Sequence, residues 1–365
     1  MDVRPFYPAD RESSEADIYR PQRKVMTWRV ESARRISAEI HRLDDSQVCA
    51  LVDAAEIVGV GIGGTERTAE IDGAPVFIKQ LPLTHSEASD PTATRNHTGL
   101  PFVSHYGIGS PAHGVGRELA AHTFTSDCVR SGETDFFPLL LGWRIVDLKC
   151  ESDLSEFDGD SPRRRWGTSW PQVETKLSEM TSAPTSMVIF LEHVPETLGS
   201  WVRRSVAEGS GSTVFAEAVG QIIDATAWME KQGFHHFDVH PGNILIHDGR
   251  LIFTDFGLSL HRDFDLTANE ESSLSTHRGF DRDTGLMHLF HWTLFELGYT
   301  SRSRRLELLR AAAADPAASA LNPVRAALGE KGADLIAEHA SVAVRMTEMF
   351  AVLMRDAFGA KYDRR

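Results

Sequence analysis

Residues 235–259 read HHFDVHPGNILIHDGRLIFTDFGLS, and this stretch decides the fold. It contains two short apolar-rich runs, ILIH and RLIFT, which are separated only by Asp248 and Gly249. An Asp-Gly pair between two such runs is a strong signal for a β-hairpin with a two-residue turn. Counting back from that turn pairs residue 247 with 250, 245 with 252 and 243 with 254. Asn243 and Asp255 are therefore predicted to lie side by side at the open end of one hairpin.

The residues at that open end predict a metal site beside a catalytic base. An amide oxygen and a carboxylate placed together make a hard, oxygen-rich site of the kind that Mg²⁺ prefers. Asp238 lies five residues before Asn243, so a short loop can bring its carboxylate near the same ion to take the proton of an attacking hydroxyl. His236 can stiffen this loop by a hydrogen bond to the backbone. Taken singly, an Asp in a turn and an Asn at the start of a strand are also common for structural reasons alone.

A second motif lies near the start of the chain, where residues 59–64 read GVGIGG and match the pattern GxGxxG. Gly59, Gly61 and Gly64 give a flexible loop whose amides can approach phosphates. A dinucleotide-binding fingerprint requires a helix next and an acidic residue about twenty positions on. Here a second strand follows, and Lys79, the last residue of VFIK, stands twenty positions after Gly59. This context favours a loop that covers phosphates, with Lys79 neutralising their charge.

These motifs resemble those of the protein-kinase-like superfamily. His236-Phe237-Asp238, Asn243 and the DFG sequence at 255–257 resemble the catalytic loop and DFG motif of protein kinases, and VFIK resembles their V-A-I-K. Residues 236–243, HFDVHPGN, resemble the corresponding sequence of aminoglycoside and choline phosphotransferases and of bacterial kinase-like proteins more closely than that of protein kinases. The resemblance implies an α+β bilobal fold, with a small antiparallel-sheet N-lobe and a mainly helical C-lobe. It also implies ATP and Mg²⁺ as cofactors, Asp238 as the base, and Asn243 with Asp255 as metal ligands.

The resemblance implies further nucleotide contacts. A phosphate-binding lysine usually has a carboxylate partner, and Glu118 opens the first clear helix after Lys79. Glu87, or a helix-capping role for Glu118, remains an alternative. Residues 188–194 resemble the strand and hinge between kinase lobes, where backbone groups of Glu192 and Val194 would hydrogen-bond the adenine edge.

Several positions depart from the kinase pattern. Phe77 stands where V-A-I-K has alanine, and Glu66 stands where the glycine-loop pattern has Val, so the purine pocket is predicted to be unusual. His240 replaces the lysine that follows the catalytic base, and when protonated it can stabilise a transferring phosphoryl group. Asp281 or Asp283 is expected to begin the next helix and to brace the catalytic loop.

The motifs leave several functions open. We expect transfer of the γ-phosphate of ATP to a hydroxyl, with a slight preference for a protein Ser/Thr acceptor over a small-molecule alcohol such as an aminoglycoside, sugar or choline-like compound. The complete glycine loop and DFG favour protein; the HPGN wording and the lack of Ala-Pro-Glu after Gly257 favour a small molecule. A nucleotide-binding pseudokinase scaffold and a nucleotidyltransferase that binds ATP in reverse are the remaining alternatives.

The order of patterns along the chain predicts two lobes. Strands are expected from residue 56, with a hairpin turn at Asp72-Gly73, and helical periodicity dominates after residue 198. We expect a loose N-terminal arm over 1–26, an N-terminal lobe over 27–194 with inserts at 84–116 and 151–185, and a helical C-terminal lobe over 195–365. The second insert, with Arg163, Arg164 and Arg165, is expected to be a solvated loop.

The amino-acid composition limits the classes of molecule that the chain is expected to bind. The chain has 365 residues, of which 41% are hydrophobic, enough for a full core in two lobes. A formal net charge of -14 disfavours binding to nucleic acid or acidic lipid. Its three cysteines show no CxxC spacing, which suggests neither a disulfide framework nor a zinc site. No apolar run reaches 18 residues and the N-terminus lacks a signal-peptide core, so we expect a soluble, cytoplasmic protein.

Overall fold

The computed structural model describes residues 15–363 apart from 108, 112 and 113, with side chains from residue 28 onward. Helix α1 (Glu15–Arg42) begins inside the stretch that we expected to be a loose arm, so the described part of 1–26 is helical. Charged residues of good helix propensity continue the helix ahead of the apolar pattern that starts at Trp28. Residues 1–14 of the expected arm lie outside the described residues.

The N-terminal half is built on an antiparallel sheet, as the sequence predicts. Within the described residues it has five strands in the order β1-β2-β3-β5-β4. Their bounds are β1 Glu56–Gly61, β2 Gly64–Ile71, β3 Ala74–Leu83, β4 Leu140–Val146 and β5 Thr185–Glu192. Ile71 pairs with Ala74, so Asp72 and Gly73 form a two-residue turn with φ of 51° and 69°. Helices α1, α2 (Asp45–Ala54), α3 (His85–Ala88) and α4 (Val115–Ser131) accompany this sheet.

The C-terminal half is mostly helical, which confirms the bilobal α+β prediction. Its helices are α7 Leu198–Ala207, α8 Gly211–Gln232, α9 Ala268–Thr276, α10 Phe280–Glu296, α11 Arg302–Ala314 and α12 Asn322–Leu353. Helices α8, α10 and α12 pack together around a buried core. Residues 235–259, which carry the catalytic-loop and DFG motifs, lie among short strands. These strands are β6 Glu196–Thr197, β7 Phe234–His235, β8 Ile244–His247, β9 Arg250–Phe253 and β10 Leu260–His261.

The second insert is folded, so our expectation of a solvated loop over 151–185 is wrong. It contains α5 (Asp160–Trp166) and α6 (Trp170–Ser182). Trp166 of α5 is buried, as are Trp170, Val173 and Met180, which recur at intervals of three and seven positions on one side of α6 despite the charged residues between them. Arg165 is also buried, and its backbone carbonyl accepts a hydrogen bond from Ala357 near the end of the described chain.

The first insert is irregular, in agreement with its lack of periodicity. Before α4 begins at Val115, its described residues form α3 and one turn of 3₁₀ helix, Phe102–His105. Its partners are in the other lobe: the rings of Phe102 and Phe237 have centroids 5.5 Å apart, and His105 bonds the carbonyl of Leu258. The insert therefore crosses from the sheet to the catalytic loop. Across the described residues, none of the helices combines the length and apolarity that crossing a bilayer requires.

Candidate active site

The hairpin at 244–253 has the register that the sequence predicts. His247 pairs with Arg250 across the Asp248-Gly249 turn, where both residues have positive φ. The amide of Thr254 donates to the carbonyl of Asn243 at 3.0 Å. Asn243 and the residue after Thr254, Asp255, are thus neighbours at the open end of the hairpin. Asp255 adopts φ of 64°, in the left-handed region that non-glycine residues seldom occupy.

Asp238 lies in the same cleft and is held by Asn243. The Asn243 Nδ2 atom donates to Asp238 Oδ2 at 3.1 Å and to the Asp238 carbonyl at 3.2 Å. Burial raises the pKa of Asp238 above its ordinary value, with His240 opposing the shift and Asp255 adding to it. A carboxylate whose proton affinity is increased in this way is better suited to act as a general base.

The first turn of α10 holds the loop that carries Asp238. Asp281, in the first turn of that helix, accepts hydrogen bonds from the backbone amides of His236 and Phe237, each at 2.8 Å. Phe237 has φ of 64°, so the two bonds hold a backbone conformation that would otherwise be costly. Of the two predicted braces, Asp281 and Asp283, it is Asp281 that contacts the loop. His236 adds the predicted backbone contact, Nε2 to the carbonyl of Thr254 at 3.0 Å.

Lys79 lies between two carboxylates from different elements. Its Nζ atom is 2.5 Å from Glu118 Oε1 on α4 and 2.7 Å from Asp255 Oδ1. Burial alone would lower the pKa of Lys79, but Asp255 and Glu118 outweigh burial and raise it above its ordinary value. The sequence left Glu87 open as the lysine's partner; the structure pairs Glu87 with Lys176 instead, at 3.2 Å.

The predicted glycine loop is the hairpin between β1 and β2. Gly61 pairs with Gly64, so the loop turns at residues 62 and 63. A Cβ added at Gly61 would meet nothing within 4 Å, whereas one at Gly64, where φ is 141°, would lie 2.1 Å from the carbonyl oxygen of Gln80. Gly64 is thus required by packing, and Gly61 leaves space above the cleft. A Cβ at Gly59 would lie 2.9 Å from the Glu66 carboxylate.

Two adjoining cavities meet at Lys79 and Asp255. The first, about 270 Å³, lies between the sheet and the hairpin, and its apolar lining comprises Val58, Phe77, Pro138, Leu191, Val194, Pro195 and Leu245. The second, about 280 Å³, lies beyond the glycine loop and is lined by Asp238 and His240. Glu66 lines both, because it is opposite Lys79 in the β2–β3 ladder. The departures Phe77 and Glu66 therefore both face the cleft.

Glu192 and Val194 line the first cavity, but Glu192 has structural partners that the sequence did not indicate. Its amide donates to the carbonyl of Leu139 at 2.9 Å. Its carboxylate receives two hydrogen bonds from the buried Arg29 of α1, at 2.9 and 2.8 Å. This ion pair joins α1 to the segment between the lobes.

His240 lies beside the predicted base, with Nε2 3.9 Å from Asp238 Oδ2. Its Nδ1 atom accepts a hydrogen bond from the amide of Gly242 at 3.0 Å, which directs Nε2 toward the second cavity. His288 of α10 faces it, with ring centroids 5.8 Å apart. Burial lowers the pKa of His288 to about 3, so it is neutral in the ordinary pH range.

Sequence reasoning missed much of the lining of the second cavity. These residues come from both inserts and from helices far along the chain: Gly107, Gly109, Ser110, Glu156, His288 and Phe350. A Cβ added at Gly107, where φ is 85°, would lie 2.9 Å from Asp238 Oδ1, so the first insert reaches the catalytic loop itself. No local pattern marks them, because tertiary packing alone brings them together.

Comparison with known proteins gives a distant relative. No protein-family model matches the chain. Over 169 residues it is 25% identical to mitogen-activated protein kinase kinase kinase 20 of Arabidopsis thaliana, a match that covers 43% of this chain and 47% of that protein. The chain thus spans about half the length of this relative. Together with the bilobal fold, the similarity suggests a protein-kinase-like relationship.

The two glycines of the loop allow a paired test. We expect Gly61→Ala to keep the melting temperature but to raise the KM for ATP, because its methyl group would occupy the space above the cleft. Gly64→Ala should instead lower the free energy of unfolding by about 1–3 kcal/mol, since its backbone and the Gln80 carbonyl exclude a Cβ. Thermal denaturation and ATP kinetics on both variants measure this. An unchanged KM in Gly61→Ala would contradict a phosphate-covering role.

Proposed function

We propose that this chain is an ATP- and magnesium-dependent phosphotransferase that moves the γ-phosphate to a hydroxyl. The observation that carries the proposal is the buried amino group of Lys79, which contacts both Glu118 and Asp255 in the cleft that Asp238 and Asn243 also line. The distant protein-kinase relative supports the same reaction class. A cation, a base and two oxygen ligands in one cleft are the groups that phosphoryl transfer requires.

The residues present fit a magnesium ion. The amide oxygen of Asn243 and the carboxylate of Asp255 lie at the same end of the hairpin, next to both cavities, and Mg²⁺ is commonly bound by one or two such groups plus phosphate oxygens. When bound, the ion would neutralise charge on the phosphates. Asp238 accepts the proton of the attacking hydroxyl, while the amide of Asn243 keeps its carboxylate in place.

The linings of the two cavities support a forward-bound nucleotide. The first cavity is walled by apolar side chains such as Phe77 and Leu245, which suit a purine. Lys79 is the one lysine or arginine among the described lining residues of either cavity, so the groups that distinguish the second cavity are His240 and the backbone of the glycine loop. Amides of such a loop can bind phosphate oxygens, which directs the phosphates from Lys79 toward Asp238. This distribution of phosphate-binding groups weighs against the reversed nucleotide that a nucleotidyltransferase would need.

The acceptor is a hydroxyl in the second cavity, and two classes have support. The similarity to a protein kinase favours Ser or Thr of a protein, in line with the preference from the sequence. A small-molecule alcohol is favoured by the enclosure of this cavity, since Gly107, Ser110 and Glu156 from the inserts line it opposite the glycine loop. His240 lies where it can stabilise the transferring group when protonated.

Substitutions at Asp255 and Asp238 separate metal binding from chemistry. We expect Asp255→Asn to abolish magnesium-dependent ATP binding, because it removes the carboxylate of the metal site. Asp238→Asn should keep binding but lower kcat by about 10²–10⁴-fold, the usual contribution of a general base. Titration calorimetry and single-turnover kinetics measure the two effects. Turnover like that of the unmodified chain in both variants would contradict the mechanism.

Labelled ATP identifies the group that is transferred. The chain is incubated with ATP labelled in the γ- or α-phosphate, together with either a protein lysate or a small-molecule fraction. We expect γ-label alone to reach an acceptor, and the fraction that receives it identifies the acceptor class. Transfer of α-label would support nucleotidylation instead. Magnesium-dependent ATP binding without any transfer would support the pseudokinase scaffold.

Gly107 tests the position of the acceptor. We expect Gly107→Ala to lower kcat/KM for the acceptor more than the KM for ATP changes, because the added methyl group would press on the Asp238 carboxylate. Gly99→Ala is a matched control: it lies in the same insert with φ of 64°, but a Cβ there meets nothing within 4 Å. Equal effects of the two variants on acceptor kinetics would contradict an acceptor in the second cavity.

A further inference from the structure

A buried ion pair joins the segment after the DFG sequence to the helix that carries Glu118. Arg117 Nη1 and Nη2 donate to the two carboxylate oxygens of Glu270, at 2.7 and 3.1 Å. Glu270 lies on α9, and the two residues are 153 positions apart in the chain. We propose that Arg117 and Glu270 are positioning residues that hold the start of α4 so that Glu118 stays against Lys79. The inference rests on the phosphotransferase function proposed above.

The Arg117–Glu270 ion pair is buried in the protein interior. Only 8% of the Arg117 side chain and 2% of the Glu270 side chain are exposed. Burial tends to raise the pKa of Glu270, but hydrogen bonds from His105 and Arg117 outweigh it and lower the pKa well below its ordinary value. Glu270 is therefore an anion over the ordinary pH range, and the bidentate geometry fixes the direction of the guanidinium.

Each partner is held by further contacts. Arg117 Nε donates to the carbonyl of Thr94 at 2.6 Å. Glu270 Oε2 accepts from the amide and hydroxyl of Thr267, which caps α9. His105 contacts both the carbonyl of Leu258, directly after the DFG sequence, and Glu270 Oε1. The first insert, α9 and the segment after Gly257 thus form one connected polar network.

The coupling to Lys79 follows from the sequence neighbours Arg117 and Glu118. Both lie in the first turn of α4, which begins at Val115. Loss of the Glu270 anion would leave the Arg117 charge buried without its partner, a state that favours displacement of that turn. A displaced turn moves Glu118 as well, and its ion pair with Lys79 depends on a separation of 2.5 Å.

The network also bears on regulation. Activation segments in protein kinases are commonly ordered by phosphorylation, through new pairs between phosphate and arginine. Here the carboxylate of Glu270 takes the place of such a phosphate, because it pairs with Arg117, the residue before Glu118 on α4. The exposed hydroxyls of Ser272 and Ser275 on the same helix are then not required for activity. We expect the double variant Ser272→Ala, Ser275→Ala to keep the kcat and KM of the unmodified chain.

A double-mutant cycle tests the positioning role. Glu270→Gln and Arg117→Gln should each lower kcat/KM for ATP about tenfold or more, and neither should lower it further once Glu118→Gln is present, because the three act as one unit. Arg305→Gln is the control, since it removes a half-buried cation that donates to the carbonyls of Tyr299 and Thr300 and contacts neither α4 nor α9. Its effect should be small and should add to that of Glu118→Gln.

Several outcomes would overturn the inference. Effects of Glu270→Gln that add fully to those of Glu118→Gln, or that equal those of Arg305→Gln at matched melting temperature, would show a purely structural pair. If Arg117→Gln does not fold, Arg117→Lys keeps the charge without the bidentate geometry, and a smaller loss that still vanishes in Glu118→Gln is expected. A lack of ATP turnover in the unmodified chain would instead contradict the proposed function itself.

Discussion

The structure depends on the carboxylates that balance the charge of one buried cation, Lys79. Lys79 has 9% of its side chain exposed, and placing its charge away from water is costly unless carboxylates surround it. Those carboxylates come from α4 and from the hairpin of the other lobe, so the ion pairs also join the sheet, the helix and the metal-site residues. Removing one carboxylate leaves the buried Lys79 charge with a single partner, which is destabilising. Electrostatics here positions the cleft as well as supplying its chemistry.

The two inserts shape the side of the cleft that faces the acceptor. The first crosses from the sheet to the catalytic loop, and its Gly107 touches the space around Asp238. The second folds into α5 and α6 and brings Glu156 to the same cavity while Arg165 binds the carbonyl of Met354. Segments that join both lobes at this point restrict what can reach the base. We therefore propose that acceptor choice is set by elements outside the motifs that define the chemistry.

The features predicted from the sequence are those with a local signal. Counting back from the Asp248-Gly249 turn was enough to place Asn243 beside Asp255. The choice of Glu118 as the partner of Lys79 rested on the kinase resemblance and left Glu87 open until the structure paired Glu118 with Lys79. The α5–α6 insert was missed because charged residues interrupt its buried tryptophans. Tertiary packing alone brings Glu192 to its partners and pairs Arg117 with Glu270 across 153 positions. Local residue spacing therefore could not predict these contacts.

The central claim is that the cleft around Lys79 binds ATP with its phosphates directed at Asp238. A crystal structure with Mg²⁺ and a non-hydrolysable ATP analogue tests it most directly. We expect the purine in the cavity lined by Phe77 and Leu245, the metal on Asn243 and Asp255, and the γ-phosphate facing Asp238. A triphosphate in the apolar cavity, or a metal bound away from these two residues, would contradict the account.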